Sequence, residues 1–243
     1  MNQITEESTV GGIVAQMPGL SRVFEARGFD YCCGGKKTLR EACANKDVST
    51  QDIIDQLMAA IEDNNNLQED DVSELSLTEL ADHIVETHHN FLRTELPRLA
   101  AMTQRVATVH SSKDERLVKI DQHFRDLNAE LTDHMMKEEK ILFPIIRELD
   151  SDNGSTEFHC GSIVNPIRMM EMEHDSAGNA MEQMKVLSDC FAAPEDACGT
   201  YRAMLDGLSV LEKDLHRHIH KENNILFPKA IELEKTKLEA INV

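Results

Sequence analysis

Four histidines and two glutamates occupy positions where the helical pattern of the sequence calls for an apolar residue. They are His88, His134, Glu138, His174, His218 and Glu222. Apolar side chains recur around each of them at steps of three and four residues, which is typical of the buried face of a helix. A buried carboxylate costs several kcal/mol unless it is paired. Six such groups in one core therefore indicate bound positive charge, which two metal ions would supply. The alternative is a metal-free network of buried polar side chains.

One motif occurs twice, a His-x-x-x-Glu pair followed by Ile-Leu-Phe-Pro, at residues 134–144 and 218–228. His88 lies 46 residues before the first motif (134 − 88), and His174 lies 44 residues before the second (218 − 174). On a helix, the spacing within the motif places both side chains on one face, one turn apart. The repeat therefore predicts two helical hairpins that supply comparable ligands.

The ligand types narrow the choice of metal. Mixed histidine and carboxylate ligation suits iron or manganese, whereas zinc prefers four ligands and would leave less reason for this set. Two histidines and two shared glutamates give each ion four bonds from the protein. An oxo or hydroxo bridge and one open position would complete six-coordination. We therefore expect two non-haem iron ions.

The sequence offers two adjacent histidines for the first ligand position. The step of four residues from Ile84 favours His88 over His89, so we expect His88 to face the core. The remaining histidines are expected to be solvated, as is Lys137. These histidines are His83, His89, His110, His123, His159, His216 and His220.

Carboxylates that support the ligands are also expected, because a metal-bound histidine usually donates its second ring N–H. Glu130 lies four residues before His134, and Glu173 is next to His174. Both are candidates for this role, and Asp214 holds the corresponding position before His218.

Composition and patterning favour an all-α protein of 243 residues with formal net charge −19. The acidic balance argues against nucleic acid or an anionic membrane as a partner. The sequence has neither an apolar run of the roughly 20 residues that span a bilayer nor a signal-peptide pattern at its start. Its 6 cysteines do not form a disulfide framework. We therefore expect a cytoplasmic protein with reduced thiols.

The chain divides at a polar stretch. Residues 1–61 predict a small helical domain, 62–75 a linker, and 76–243 a four-helix bundle, because four long segments carry an apolar stripe of helical period. The small domain contains adjacent cysteines, Cys32 and Cys33, in a glycine-punctuated loop. Such thiols could form a vicinal disulfide, bind a metal transiently or react with nitric oxide, and Lys36 and Lys37 nearby would favour the thiolate. The alternative is that they are small residues in a tight turn.

Three passages resemble the RIC (repair of iron centres) family of hemerythrin-like di-iron proteins. They are the loop Asp-Tyr-Cys-Cys-Gly-Gly-Lys at 30–36, the two His-x-x-x-Glu motifs, and Met-Glu-His-Asp-Ser-Ala-Gly at 172–178. The chain departs from oxygen-carrying hemerythrins, which have more histidines and an Asp in place of the second Glu. The resemblance implies a hemerythrin-like four-helix bundle with a small N-terminal helical domain.

The resemblance also implies a function and roles for particular residues. It implies a cytoplasmic stress protein that repairs iron–sulfur clusters damaged by nitric oxide or peroxide. The six residues named first would be the metal ligands, with Glu138 and Glu222 bridging the two irons. Cys32 and Cys33 would be the family's cysteine pair, with a redox or relay role. Iron–sulfur apoproteins or a cluster scaffold would be the protein partners, and a homodimer is left open.

Iron donation to damaged cluster proteins is the function that the sequence favours. One alternative is an enzyme that reduces nitric oxide at the di-iron centre. Another is a sensor or carrier that binds oxygen or nitric oxide without turnover. The sequence alone does not decide between an enzyme and a binding protein.

Overall fold

The computed structural model describes residues 4–62, 72, 74–151 and 158–241, and these are predominantly helical. The helices are α1 (Val10–Gln16), α2 (Ser21–Ala26), α3 (Leu39–Ala44), α4 (Thr50–Glu62), α5 (Leu77–Ile84), α6 (Asn90–His110), α7 (Arg116–Lys137), α8 (Phe143–Asp150), α9 (Val164–Leu187), α10 (Gly199–Lys221) and α11 (Phe227–Ile241). A 3₁₀ turn spans Pro18–Leu20. Among the described residues there are two isolated β-bridges and no strand. The all-α prediction is therefore confirmed.

The chain forms two compact units, which we describe separately. The bundle unit is Ala81–Leu215, and the terminal unit combines Met1–Leu80 with His216–Val243. The predicted linker, residues 62–75, includes 63–71 and 73, which lie outside the described residues.

The bundle unit has one apolar core to which α6, α7, α9 and α10 all contribute. Helix α7 packs against both α6 and α9. The core side chains with the least exposure include Leu92, Leu99, Phe124, Leu127, Met184, Leu208 and Leu211. These residues recur at the three- and four-residue steps of the sequence pattern, so burial of the apolar stripe is what holds the four helices together.

Within the described ranges, three π turns interrupt the helices, at Val85–His89, Glu138–Leu142 and Glu222–Leu226. A π turn contains one more residue than an α turn, so it moves the buried face of the helix by one position. In an uninterrupted α-helix, the step of three residues from Glu138 would place Ile141 in the core. The structure instead leaves Ile141 43% exposed and Leu142 1% exposed, because both residues lie within the second π turn, which moves the buried face by one position.

The terminal unit has its own apolar core, built from α1–α4 and the loops between them. Its most buried members include Val10, Leu20, Phe24, Leu39, Cys43 and Leu57. Helix α3 begins with a capping box, in which the Thr38 hydroxyl accepts from the Glu41 N–H and the Glu41 carboxylate accepts from the Thr38 N–H. Gly28 ends the preceding segment with φ +63°, a conformation that favours glycine.

No helix within the described ranges is both long and apolar enough to cross a membrane.

Candidate metal centre

Glu138 is the fully buried carboxylate at the centre of the bundle unit's polar cluster. It begins the second π turn, one turn after His134 on the same helix. One carboxylate oxygen lies 3.3 Å from Nε2 of His134, and the other lies 3.3 Å from Nε2 of His89. The ligand atoms of His134, Glu138 and His174 all lie within 4.8 Å of one another. The bundle unit therefore brings three of the predicted ligands together.

The third histidine at this cluster is His89, whereas the sequence pattern favours His88 at this position. His89 is fully buried, and its ring stacks on Phe143 with the centroids 5.8 Å apart. The side chain of His88 is also buried, but its Nδ1 lies 2.8 Å from Oδ1 of Asp214. The first π turn ends at His89 and adds one residue after Ile84. Counting in steps of an uninterrupted α-helix therefore favours His88, whereas the π turn brings His89 to Glu138.

Two carboxylates support the inner histidines from behind. Nδ1 of His89 lies 2.6 Å from Oε1 of Glu139, and Nδ1 of His134 lies 2.9 Å from Oε2 of Glu173. Because a carboxylate only accepts hydrogen bonds, each Nδ1 is the donor. Nε2 of each ring then faces Glu138 and is the nitrogen that could bind a metal. Glu173 occupies the supporting position that the sequence suggested, although it serves His134 and not its neighbour His174.

A cation pairs with each of these two carboxylates. Arg93 donates to Glu139, and Nζ of Lys137 lies 2.5 Å from Oε1 of Glu173. Burial raises the pKa of both carboxyls, but the hydrogen bonds from the histidine and the cation more than offset it. The pKa of Glu139 and that of Glu173 are therefore held below their usual range. Lys137, expected to be a solvated surface residue, thus has a specific partner.

Glu130, the other expected supporting carboxylate, is exposed. Its Oε2 accepts from the Ser176 hydroxyl at 3.0 Å, and it forms no hydrogen bond with a histidine among the described residues. Glu139 takes the role that the sequence analysis missed. The one indication in the sequence is its position directly after Glu138. The two residues begin the second π turn, where Glu138 lies at Nε2 of His89 and Glu139 at Nδ1 of the same ring.

The chemistry of this donor set fits a bound cation. With Nδ1 donating outward, a neutral imidazole directs the lone pair of Nε2 at the oxygens of Glu138, so either a proton or a cation must lie between these acceptors. Nε2 of His134 and Nε2 of His174 are 3.1 Å apart. Two ligands bound at about 2.1 Å and at right angles lie about 3 Å apart. The spacing therefore suits atoms that share one metal ion.

The terminal unit contains the remaining two predicted ligands. Nε2 of His218 lies 3.1 Å from Oε1 of Glu222, one turn further along, and both side chains are almost completely buried. Glu222 begins the third π turn just as Glu138 begins the second. The sequence repeat is therefore also a repeat of local backbone structure.

The two cysteines lie close together in a loop organised by Asp30. The Asp30 carboxylate accepts backbone N–H groups of Cys32, Cys33 and Gly34 at 2.8–3.1 Å. The two sulfur atoms are 3.9 Å apart, and both thiols are free. The hydrogen bond to Cys33 and burial raise the pKa of the Cys32 thiol. Lys36 and Lys37 were expected to favour the thiolate in this loop. At Cys32 the opposite holds, because the buried thiol has a raised pKa and stays protonated.

The same loop is attached to the segment of the terminal unit that carries His218 and Glu222. Nδ2 of Asn224 lies 3.3 Å from the carbonyl oxygen of Tyr31 and 3.0 Å from that of Cys32. The Tyr31 ring packs edge-on against His216 and His220, with centroids 6.0 Å and 5.4 Å away.

His220 is a further departure from the sequence expectation of a solvated surface. It is buried, and burial lowers its pKa to about 4. Its contacts include the ring and the carbonyl oxygen of Tyr31, 189 positions earlier in the sequence, which helical periodicity does not reveal.

Two family matches cover most of the chain. Residues 80–230 match the hemerythrin HHE cation binding domain, and residues 6–61 match ScdA_N, described as a domain of unknown function (DUF542). The first match includes both His-x-x-x-Glu motifs, and the second includes the cysteine pair.

Relatives match along almost their whole length. A protein of Haemophilus influenzae named probable iron-sulfur cluster repair protein is 34% identical over 219 residues, which cover 90% of this chain and 94% of the relative. The iron-sulfur cluster repair protein YtfE of Escherichia coli O81 is 36% identical over 225 residues, covering 93% and 97%. The protein of the same name from Escherichia fergusonii has the same identity and coverage. The chain therefore belongs to the hemerythrin HHE family and, within it, to the RIC family that its motifs resemble.

Proposed function

We propose that this protein carries two iron ions and supplies iron for the repair of damaged iron–sulfur clusters. The proposed ligands are His89, His134, Glu138, His174, His218 and Glu222. This set differs from the sequence expectation at one position, where His89 replaces His88. Glu138 and Glu222 are the proposed bridging carboxylates.

The observation that carries this proposal is the environment of Glu138. A fully buried carboxylate lies between two imidazoles whose outer nitrogens already donate to Glu139 and Glu173. Such an arrangement favours a cation on the inner side and fixes the direction of each ring. The match to a cation binding domain over residues 80–230 supports the same interpretation.

We infer the role in cluster repair from the relatives, whose names state that role. We infer that iron–sulfur apoproteins or a scaffold on which clusters form receive the iron, and that this occurs in the cytoplasm. Iron is then cargo, and the ligands must hold it without preventing its release. Histidine and carboxylate ligands suit this, because they bind ferrous iron less firmly than thiolates bind a cluster.

The residues of the chain have separate tasks in this proposal. Glu139 and Glu173 hold the histidine rings in place, so that the inner nitrogens stay aligned whether or not the cargo is present. We assign residues 1–61 and 76–243 as the two functional domains, in line with the separate family matches at 6–61 and 80–230. Cys32 and Cys33 are the proposed redox or relay pair of the first domain.

An iron-transfer assay tests the proposal. The full chain is loaded with ferrous iron anaerobically and incubated with a cluster-free iron–sulfur enzyme and sulfide, and recovery of that enzyme's activity is followed. We expect faster recovery than with the same amount of free ferrous iron. The matched control is Glu130→Gln, which should behave as the wild type. Recovery no faster than with free iron would rule out iron donation.

A further inference from the structure

Arg93 and Lys137 form the outermost layer of the bundle unit's histidine cluster. Their side chains are 46% and 41% exposed, whereas the carboxylates that they contact are 27% exposed and the histidines behind those carboxylates are buried. Each cation therefore lies between solvent and a carboxylate, and each carboxylate lies between a cation and a histidine.

The two arrangements share one design. Arg93 lies four residues after His89, and Lys137 lies three residues after His134, so each cation is on the same helical face as its histidine, one turn away. The carboxylate comes from elsewhere in the fold, Glu139 from the second π turn and Glu173 from α9. Two different sequences thus build the same order of groups: histidine, carboxylate, cation.

His88 provides a comparison within the same unit. Its Nδ1 also lies against a carboxylate, that of Asp214 at 2.8 Å. The Asp214 side chain is 18% exposed. Arg93 and Lys137, by contrast, contact the two carboxylates that support His89 and His134.

We propose that Arg93 and Lys137 adjust the redox potential and the iron affinity of the centre. They do so by partly neutralising the negative charge of Glu139 and Glu173. A carboxylate behind a ligand histidine makes the imidazole a stronger donor. A cation on that carboxylate weakens the effect and also adds positive charge near the metal. Both effects favour the ferrous over the ferric ion and loosen the bond to the histidine. The pair of cations therefore keeps the iron reduced and exchangeable, which is what a donor of iron requires.

This inference rests on the proposed function, because it takes His89 and His134 as iron ligands. Neither cation touches the proposed metal position, so both are positioning residues that act through a carboxylate. Their exposure has a further consequence: salt screens a half-exposed charge, so the effect should shrink as ionic strength rises.

Neutral variants of the two cations test the proposal in the full, iron-loaded chain. Arg93→Gln and Lys137→Gln should each lower the midpoint potential and slow the removal of ferrous iron by a chelator. Arg93→Lys and Lys137→Arg keep the charge and should restore wild-type behaviour. Arg98→Gln is the matched control on α6, since Arg98 pairs with Glu95 and not with a supporting carboxylate. Glu139→Gln should act in the opposite direction, with iron affinity about 10- to 100-fold weaker.

The direction of these effects distinguishes an electrostatic effect on the iron from a purely structural role of the two cations. If the cations only hold the structure, their loss would speed iron removal, which would overturn the inference. An unchanged potential and release rate in iron-loaded Arg93→Gln and Lys137→Gln would overturn it as well. Failure of the wild-type chain to bind iron would instead refute the proposed function.

Discussion

His89 and His88 differ by one position in sequence and by the carboxylate that each ring meets. His89 lies between Glu138 and Glu139, whereas His88 contacts Asp214. Residue types and spacing predicted five of the six proposed ligands directly. The sixth could not be predicted from periodicity, because both neighbours are buried and only the backbone of the π turn decides which one meets Glu138.

Substitution of the adjacent histidines tests this choice. His89→Ala should lose most of the bound iron, because it removes a proposed ligand. His88→Ala should retain it, although loss of a buried hydrogen bond to a charged group should lower stability by about 1.5–3 kcal/mol. Iron per chain, measured after anaerobic purification, distinguishes the two variants. Iron loss in His88→Ala alone would restore the original sequence expectation.

The supporting carboxylates give a second comparison at single residues. Glu173→Gln should weaken iron binding by about 10- to 100-fold, because it removes the acceptor behind His134. Glu130→Gln should leave binding unchanged, since Glu130 contacts Ser176 at the surface. Competition with a chromophoric chelator measures both affinities. Equal weakening in the two variants would contradict the assignment of Glu173.

At the scale of structural elements, the π turns explain what sequence periodicity missed. The helices themselves were predictable because their apolar stripes repeat over long segments. A π turn adds a single residue, and the residue pattern of one sequence does not reveal it. Periodicity alone therefore places Ile141 in the core and His89 at the surface, the reverse of what the structure shows. Each π turn contains or begins with a proposed ligand, which agrees with the frequent occurrence of π turns at functional sites.

The cysteine loop is fitted closely to the third π turn of the terminal unit. A Cβ at Gly35 would lie 2.5 Å from Oδ1 of Asn224 and 2.6 Å from the carbonyl oxygen of Tyr31. Both distances are too short for a carbon atom. The loop therefore needs glycine here because of close packing, which the sequence alone indicated only as a tight turn.

Alanine at Gly35 tests this packing. Gly35→Ala should destabilise the protein by about 1–3 kcal/mol through overpacking and should speed alkylation of Cys32, whose thiol is buried in the native loop. Gly199→Ala is the control, because its added Cβ meets nothing within 4 Å. Denaturant unfolding and mass-spectrometric alkylation rates give the two readouts. An unchanged Cys32 rate in Gly35→Ala would contradict the close fit.

At the scale of the whole molecule, the formal charge of −19 is carried mainly by acids that do not take part in the cluster. Composition therefore indicates an acidic protein, but it does not identify the site. The fold class followed from helical periodicity. The pairing of the loop at residues 30–36 with His220 and Asn224 did not, because contacts between segments so distant in sequence leave no pattern in a single chain.

Iron binding should raise the stability of the molecule. A ligand that binds only the folded state adds about 2.7 kcal/mol at a concentration 100 times its Kd. Thermal unfolding of the apo and ferrous-loaded protein should therefore show a higher Tm with iron, and no comparable rise with Mg²⁺. Equal Tm values with and without iron would count against a preformed buried site.

The central claim is that the repeated His-x-x-x-Glu motifs hold iron, and iron content tests it most directly. We predict two irons per chain after anaerobic purification. His134→Ala and Glu222→Ala, one variant in each motif, should each lose most of this iron while the far-ultraviolet circular dichroism stays helical. Substantially unchanged iron content in both variants would contradict the account.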